Sequence, residues 1–380
     1  MVKELLEKKE KKVEYIELIY DLIFVYIVGR NNAILHHTTG GYVDRFIFIS
    51  YLFCTLAVIQ IWTFTTYYIN VYGKKSVREH IFLFVNMFLL YFMAEGIGAN
   101  WEAKHLQFHI AWALILLNIA VQYLFELRGC KETAYRNRIK GMLIILFSEM
   151  AVVLAAIAEI RLIGSTYASF GAVLAGIALV LILSRNSCKA LVDFNHLSER
   201  AMLYVVFTFG EMIIAIASYF EGKFTWNTLY FALLAFLIVV GLFLSYGVFY
   251  DHLLDSEKQT NGIGYMLLHI FLVFSLNNIT NAVEFMREEE VNLLQKMVLL
   301  VFSFSSFYIF LFLCGFYAKN GFKPNIKMAL LALLITAAFV VLMVVLREYM
   351  YINIALSALY VGAMLLFILN HKKKLARLSA

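Results

Sequence analysis

The feature that most limits how this chain can fold is its recurring run of about twenty apolar residues, broken by short charged segments. A helix rises about 1.5 Å per residue, so a run of that length crosses a hydrocarbon layer roughly 30 Å thick. Runs of this kind fall near 14–35, 44–70, 80–99, 106–127, 139–160, 163–184, 199–219, 226–250, 263–285, 293–317, 327–346 and 350–370. Composition agrees. The chain is 62% hydrophobic and 15% charged, against roughly 45–50% and 25% in soluble domains. Surface-to-volume scaling leaves no water-soluble core able to hide that excess. Inside hydrocarbon every backbone N–H and C=O must be satisfied within its own segment, which selects helices. The single proline, Pro324, falls between two runs and breaks neither. The expected fold class is therefore all-α: a polytopic integral membrane protein with about 12 transmembrane helices.

The charges report orientation. With both termini on one side, the inner segments hold 24 Lys and Arg and the outer ends and loops hold 7, with Arg30 inside the first run. Excess positive charge marks the cytoplasmic side, so both termini are expected in the cytoplasm of a multi-pass cell-membrane protein. The net charge of +6 follows from this placement and is no nucleic-acid signal. Lys3, Lys8, Lys9, Lys11 and Lys12 form a charged lead-in to a full first span, not the start of a cleavable signal peptide. Cys54, Cys130, Cys188 and Cys314 have neither C-x-x-C spacing nor an extracellular framework, so disulfides and structural zinc are not expected.

A displacement of 189 residues lays His80-Ile81-Phe82-Leu83 on His269-Ile270-Phe271-Leu272, Glu95 on Glu284 and Glu159 on Glu348. A displacement of 190 lays Asp21 on Glu211. Two six-helix parallel repeats, 1–190 and 191–380, would produce this pattern. Coincidence in an apolar sequence of low complexity is the alternative.

The first run reads Glu17-Leu18-Ile19-Tyr20-Asp21-Leu22-Ile23-Phe24-Val25. The seventh opens His196-Leu197-Ser198-Glu199-Arg200 and continues to Gly210-Glu211, and Trp62 precedes a Thr/Tyr/Asn stretch ending at Asn70. These segments resemble the bacterial low-temperature requirement A (LtrA) family, whose first span carries E-L-F-F-D-L-V-F-V and whose later span carries H-L-x-E-R followed by G-E. The resemblance covers the whole chain in length and span layout. Ile19 and Tyr20 depart mildly from the pattern, and Arg30, Asn31 and Asn32 are more polar than it. The family name records a growth phenotype, so the resemblance implies an architecture more than an activity.

An ionisable side chain near the bilayer centre costs about 2.5–3.5 kcal/mol on insertion scales, which makes each one a candidate for function. Glu17 and Asp21 stand one turn apart on one helix face, and Asn31 and Asn32 extend that stripe. Asp21 is either a proton-coupling group or an interhelical hydrogen-bonding one; Glu17, near the span's inner end, either joins it or meets water. Glu149 and Glu211 fall deep in the fifth and seventh spans, and Gly210 allows close helix approach beside Glu211. Asn277, Asn281 and Glu284 form a stripe on the ninth span. His269 lies near enough to mid-span to relay protons, or is simply a hydrogen-bonded histidine. The ordinary reading of Glu199 and Arg200 is a helix start with positive-inside charge. The expected polar pathway is thus Glu17, Asp21, Asn32, Glu149, Glu211, His269, Asn277, Asn281 and Glu284, with no catalytic set, metal ligand or cofactor site.

These features point first to a secondary transporter that uses buried carboxylates for proton or cation coupling, with the bilayer and a small-molecule or ion substrate as partners. An intramembrane enzyme acting on lipid or lipid-linked substrates is a second reading, but neither a metal-binding acid pair nor a G-x-S-x-G motif is present. A channel or sensor coupled to membrane state is a third. The absence of G-x-x-x-x-G-K-[ST] argues against a built-in ATPase.

Overall fold

A computed structural model describes residues 11–36, 38–97, 101–165, 167–184, 191–220, 225–286, 291–320 and 323–379. Lys3, Lys8, Lys9, Arg185, Cys188, Lys189, Lys223 and Arg287 lie outside the described residues. Twelve long helices follow one another: α1 Tyr15–Asn32, α2 Arg45–Tyr72, α3 Val77–Glu95, α4 Trp101–Gly129, α5 Thr133–Ile163, α6 Tyr167–Ser184, α7 Phe194–Ala217, α8 Trp226–Val248, α9 Ile263–Phe285, α10 Leu293–Cys314, α11 Ile326–Val345 and α12 Met350–Ser379. Eleven are long and apolar enough to cross a membrane; the described part of the remaining one, Tyr167–Leu183, is apolar but shorter. The only strands among the described residues form a two-residue hairpin ladder, Thr38–Thr39 against Tyr42–Val43.

Local chemistry sets several helix starts. Ser76 and Glu79 form a reciprocal capping box at α3, each accepting from the other's backbone N–H, which satisfies two donors that a helix start leaves open. Thr225, Asn292 and Asn325 cap α8, α10 and α11 through their side-chain oxygens.

The chain divides into two compact units. The first comprises the chain to Ile34, Phe46–Tyr204 and Ser256–Met266, so it holds α1 to α6 and the N-terminal part of α7. Within it α4 packs on α3 and α5, α5 on α6, and α1 on α3. The second comprises Leu35–Arg45, Val205–Asp255 and the chain from Leu267. Within it α12 packs on α8 and α11.

Burial differs sharply between spans. The apolar windows of α2 and α9 are each 72% buried, whereas that of α11 is 11% buried. A nearly all-exposed apolar helix suits lipid, and a buried one can carry polar side chains that find protein partners. α2 carries Gln60, Trp62, Thr65 and Asn70; α9 carries His269, Asn277 and Asn281. The candidate sites are organised around these two helices.

Candidate functional site

In the first unit, α1 turns Ile16, Glu17, Tyr20, Asp21, Phe24, Ile27, Val28, Asn31 and Asn32 inward. That is the i, i+3/i+4 stripe the helical period demands. Arg30 points away from it, and its guanidinium lies 3.8 Å from Glu95 of α3 and donates to the Ile97 carbonyl at 3.0 Å.

The stripe's two acids meet a cation that the sequence reading placed at a solvated helix start. Arg200 is 0% exposed, a correction to that expectation. It stands nearly two turns into α7, and its long side chain reaches back to α1. Its Nη2 donates to Asp21 Oδ1 at 2.6 Å and its Nε to Asp21 Oδ2 at 3.2 Å, a bidentate pair. Nη1 donates to Glu17 Oε2. The indole Nε1 of Trp62 adds a third donor to Asp21, at 2.8 Å to Oδ1. The Trp62 ring also lies under the guanidinium, 6.0 Å away, and Tyr204 packs against that ring at 4.4 Å. Tyr20 and Phe24 continue the aromatic wall, and Tyr20 donates its hydroxyl to Thr65 Oγ1 at 3.0 Å. In this buried pocket each charge–charge contact is stronger than it would be in water.

Asn70, at the end of α2, fixes the fourth member. Its Oδ1 accepts the Asp193 N–H at 3.2 Å and its Nδ2 donates to the Asp193 carbonyl at 2.8 Å. These two backbone contacts determine which way the amide points. Nδ2 therefore presents its second N–H to His196 Nδ1, at 3.0 Å. Nδ1 must accept, so the imidazole proton sits on Nε2, which faces Glu17 Oε2 at 3.3 Å.

The roles separate accordingly. Asp21 receives three donors, two from Arg200 and one from Trp62. His196 is oriented by Asn70 so that Nε2 faces Glu17. Glu17, 3% exposed, meets Arg200 Nη1 and His196 Nε2 through the same oxygen, Oε2. Two carboxyl groups share one guanidinium, so these three groups carry one excess negative charge when both acids are ionised.

Glu149 of α5 is fully buried elsewhere in this unit. Its Oε2 accepts one N–H, from Gln60 Nε2 at 3.1 Å, and its Oε1 has no hydrogen-bond partner. Gly176 of α6 lies directly against this pair, where a Cβ would collide with both side chains. Asn32 is buried near the other end of α1.

The second unit holds the other sequence-predicted residues. Glu211 and Glu284, both half-buried, lie within electrostatic range of each other. Asn281 donates to the Asn277 carbonyl at 2.9 Å along α9, and the Asn277 side-chain amide is buried without a hydrogen-bond partner. His269 Nε2 lies 3.1 Å from the Tyr246 hydroxyl and its Nδ1 4.0 Å from Cys314 Sγ. A Cβ at Gly210 would meet nothing within 4 Å, so no close helix contact depends on that glycine.

Sequence reasoning missed Arg200, Asn70 and His196 as site members, and Gln60 as the partner of Glu149. It also missed His109, whose Nε2 lies 2.6 Å from Ser169 Oγ and links α4 to α6. The signal for the first three was present, because His196, Arg200 and Asn70 all lie in the segments that carry the family resemblance. Among the described residues no group of three His, Cys, Asp or Glu side chains could hold a metal ion.

The family model described as bacterial low temperature requirement A protein (LtrA) matches residues 12–368. No curated protein matches the chain.

Proposed function

The chain belongs to the bacterial low temperature requirement A family, and from that premise we propose that it is a proton-coupled secondary transporter in which Glu17 carries the coupling proton. One observation carries the reading: the buried set of Glu17, Asp21, Arg200 and His196 holds two carboxyl groups against one guanidinium, which grips Asp21 through two bonds and Glu17 through one. Asp21 and Arg200 form the bidentate pair, Asn70 orients His196, and protonation of Glu17 would remove the excess negative charge. A carboxylate placed next to a guanidinium but in excess of it can bind and release a proton as its access changes, which is what coupling requires. The substrate is a small molecule or an ion.

The cell membrane is the proposed location, with both termini cytoplasmic. The charge asymmetry supports this even after correction. Arg138 and Arg200 on the inner count and Lys296 on the outer are buried in protein, and removing them leaves 22 inner against 6 outer basic residues. Glu149, Glu211, His269, Asn277, Asn281 and Glu284 are proposed as secondary polar positions of the pathway, and the halves 1–190 and 191–380 as its two repeats.

The test uses purified protein in liposomes with an entrapped pH indicator and a panel of ionic and small-molecule solutes. At least one solute is expected to move protons with it. Glu17→Gln should lower that proton movement by about a hundredfold, on the scale of losing one essential acid–base group, while inserting normally. Undiminished solute-linked proton movement in Glu17→Gln overturns the assignment.

A further inference from the structure

Two cavities of the first unit adjoin Lys11. The larger, about 810 Å³, is lined by Lys11, Lys12, Asn70, Lys74, Lys75 and Asp193 among others. The smaller, about 30 Å³, is lined by Lys11, Glu14, Glu17, Glu79, His80 and Gln122 among others. The large one is a basic vestibule. The small one has room for about one water molecule and reaches the proton-exchanging acid. They share three lining residues: Lys11, Gly73 and Lys75.

Lys11 is fixed between them. Its backbone N–H lies 3.4 Å from Asp193 Oδ2. Its ammonium donates to the Ile69 carbonyl and lies 3.4 Å from the Asn70 carbonyl and 3.3 Å from that of Gly73. Ile69 and Asn70 stand in the last turn of α2 and Gly73 just beyond it, and the C-terminal end of a helix favours a cation. A Cβ at Gly73 would collide with the Ile69 carbonyl oxygen that holds the ammonium and stand 2.9 Å from Lys11 Nζ itself, so the seat needs a glycine there. Lys75 is held otherwise, paired with Glu14 at 2.6 Å.

We infer that Lys11 is the gate on an access path from the basic vestibule to Glu17. The inference rests on Glu17 being the proton carrier, and it explains where the resting charge balance comes from. With Lys11 seated, its ammonium faces Glu17 across the small cavity and offsets the excess negative charge of the buried set. When Lys11 leaves, the small cavity opens to the vestibule and Glu17 loses its second cation, so a proton takes that place. Burial pushes the Lys11 ammonium's pKa down from its ordinary value, while Glu17, Glu79 and Asp193 oppose that fall. A proton on Glu17 thus weakens the hold on Lys11, which ties the gate to the occupancy of the site.

Accessibility tests this without reference to transport. Gln122 lines the small cavity, is buried and belongs to neither the gate nor the proton site. In a chain with Cys54, Cys130, Cys188 and Cys314 replaced by serine or alanine, Gln122→Cys is reacted in membranes with a small cationic methanethiosulfonate. The reaction is expected to be slow with Lys11 present. In Lys11→Ala it should be about tenfold faster or more, as expected for removing charge-assisted hydrogen bonds that hold a closed state. Gly73→Ala, which keeps the charge but crowds its seat, should accelerate the reaction too. Equal rates in all three chains overturn the gate, as does a parent rate matching that of Lys12→Cys at the vestibule surface. Failure of the proton assignment alone would leave these rate differences intact and abolish only the effect of Glu17→Gln on proton movement.

Discussion

Asp21 and Glu149 are both carboxyl groups with 0% exposure inside the same compact unit, and their surroundings are opposite. Asp21 receives a bidentate guanidinium and an indole N–H. Glu149 receives one amide N–H, with the Trp112 indole beside it and, among the described residues, no cation in contact. Burying an uncompensated carboxylate is far more costly than burying a neutral carboxylic acid. Asp21 thus sits where a cation compensates an anion, and Glu149 sits where none is in contact. The lesson is that depth in a membrane helix does not define a charged site. What faces the acid defines it, and in this unit Arg200 is what faces Asp21 and Glu17.

The largest break in this contrast comes from removing the cation. Arg200→Met leaves two carboxylates in a dry pocket and should destabilise the protein by about 3–5 kcal/mol, the usual cost of stranding one partner of a buried pair. Thermal unfolding in detergent measures it. Combining the substitution with Asp21→Asn should restore part of the loss, because one stranded charge is gone. A double variant no more stable than Arg200→Met would mean that the pocket does not depend on charge balance.

A smaller effect is expected on the other side of the contrast. Gly176→Ala drives a methyl group into the Gln60–Glu149 pair and should cost about 1–3 kcal/mol through overpacking. Adding Gln60→Ala should recover most of it by making room. Since no fixed charge is involved, the loss should not depend on pH between mildly acidic and neutral conditions. A strong pH dependence would indicate that Glu149 titrates there.

Much of this could be read from the residues alone. The membrane architecture followed from run length and apolarity, and the pairing of Glu17 with Asp21 on one helix face followed from their four-residue spacing. Arg200 was misplaced for a physical reason. Sequence gives a residue's depth along its own helix, but it does not give the axial offset between helices. Six residues into α7 reads as the membrane edge, yet α1 presents Glu17 and Asp21 within reach of a guanidinium there. Asn70 illustrates a second limit. Its role is to lock His196 through contacts to the Asp193 backbone, and backbone positions carry no side-chain signal. Gln60 and Glu149, 89 residues apart, share no periodicity that would connect them. Gly176 shows the reverse case: an unremarked small residue in an apolar run is what allows that pair its space.

The most direct test of the account is infrared spectroscopy of the purified protein in bilayers, following absorption from protonated carboxyl groups as pH is lowered from neutral. Glu149→Gln should remove a contribution already present at neutral pH. Glu17→Gln should remove one that grows on acidification, earlier in Lys11→Ala than in the parent chain. Asp21→Asn should remove none, because that acid stays paired with Arg200. A neutral-pH contribution that disappears with Asp21→Asn, or no acid-dependent contribution lost with Glu17→Gln, would contradict the assignment of a fixed ion pair with Glu17 as its proton-exchanging neighbour.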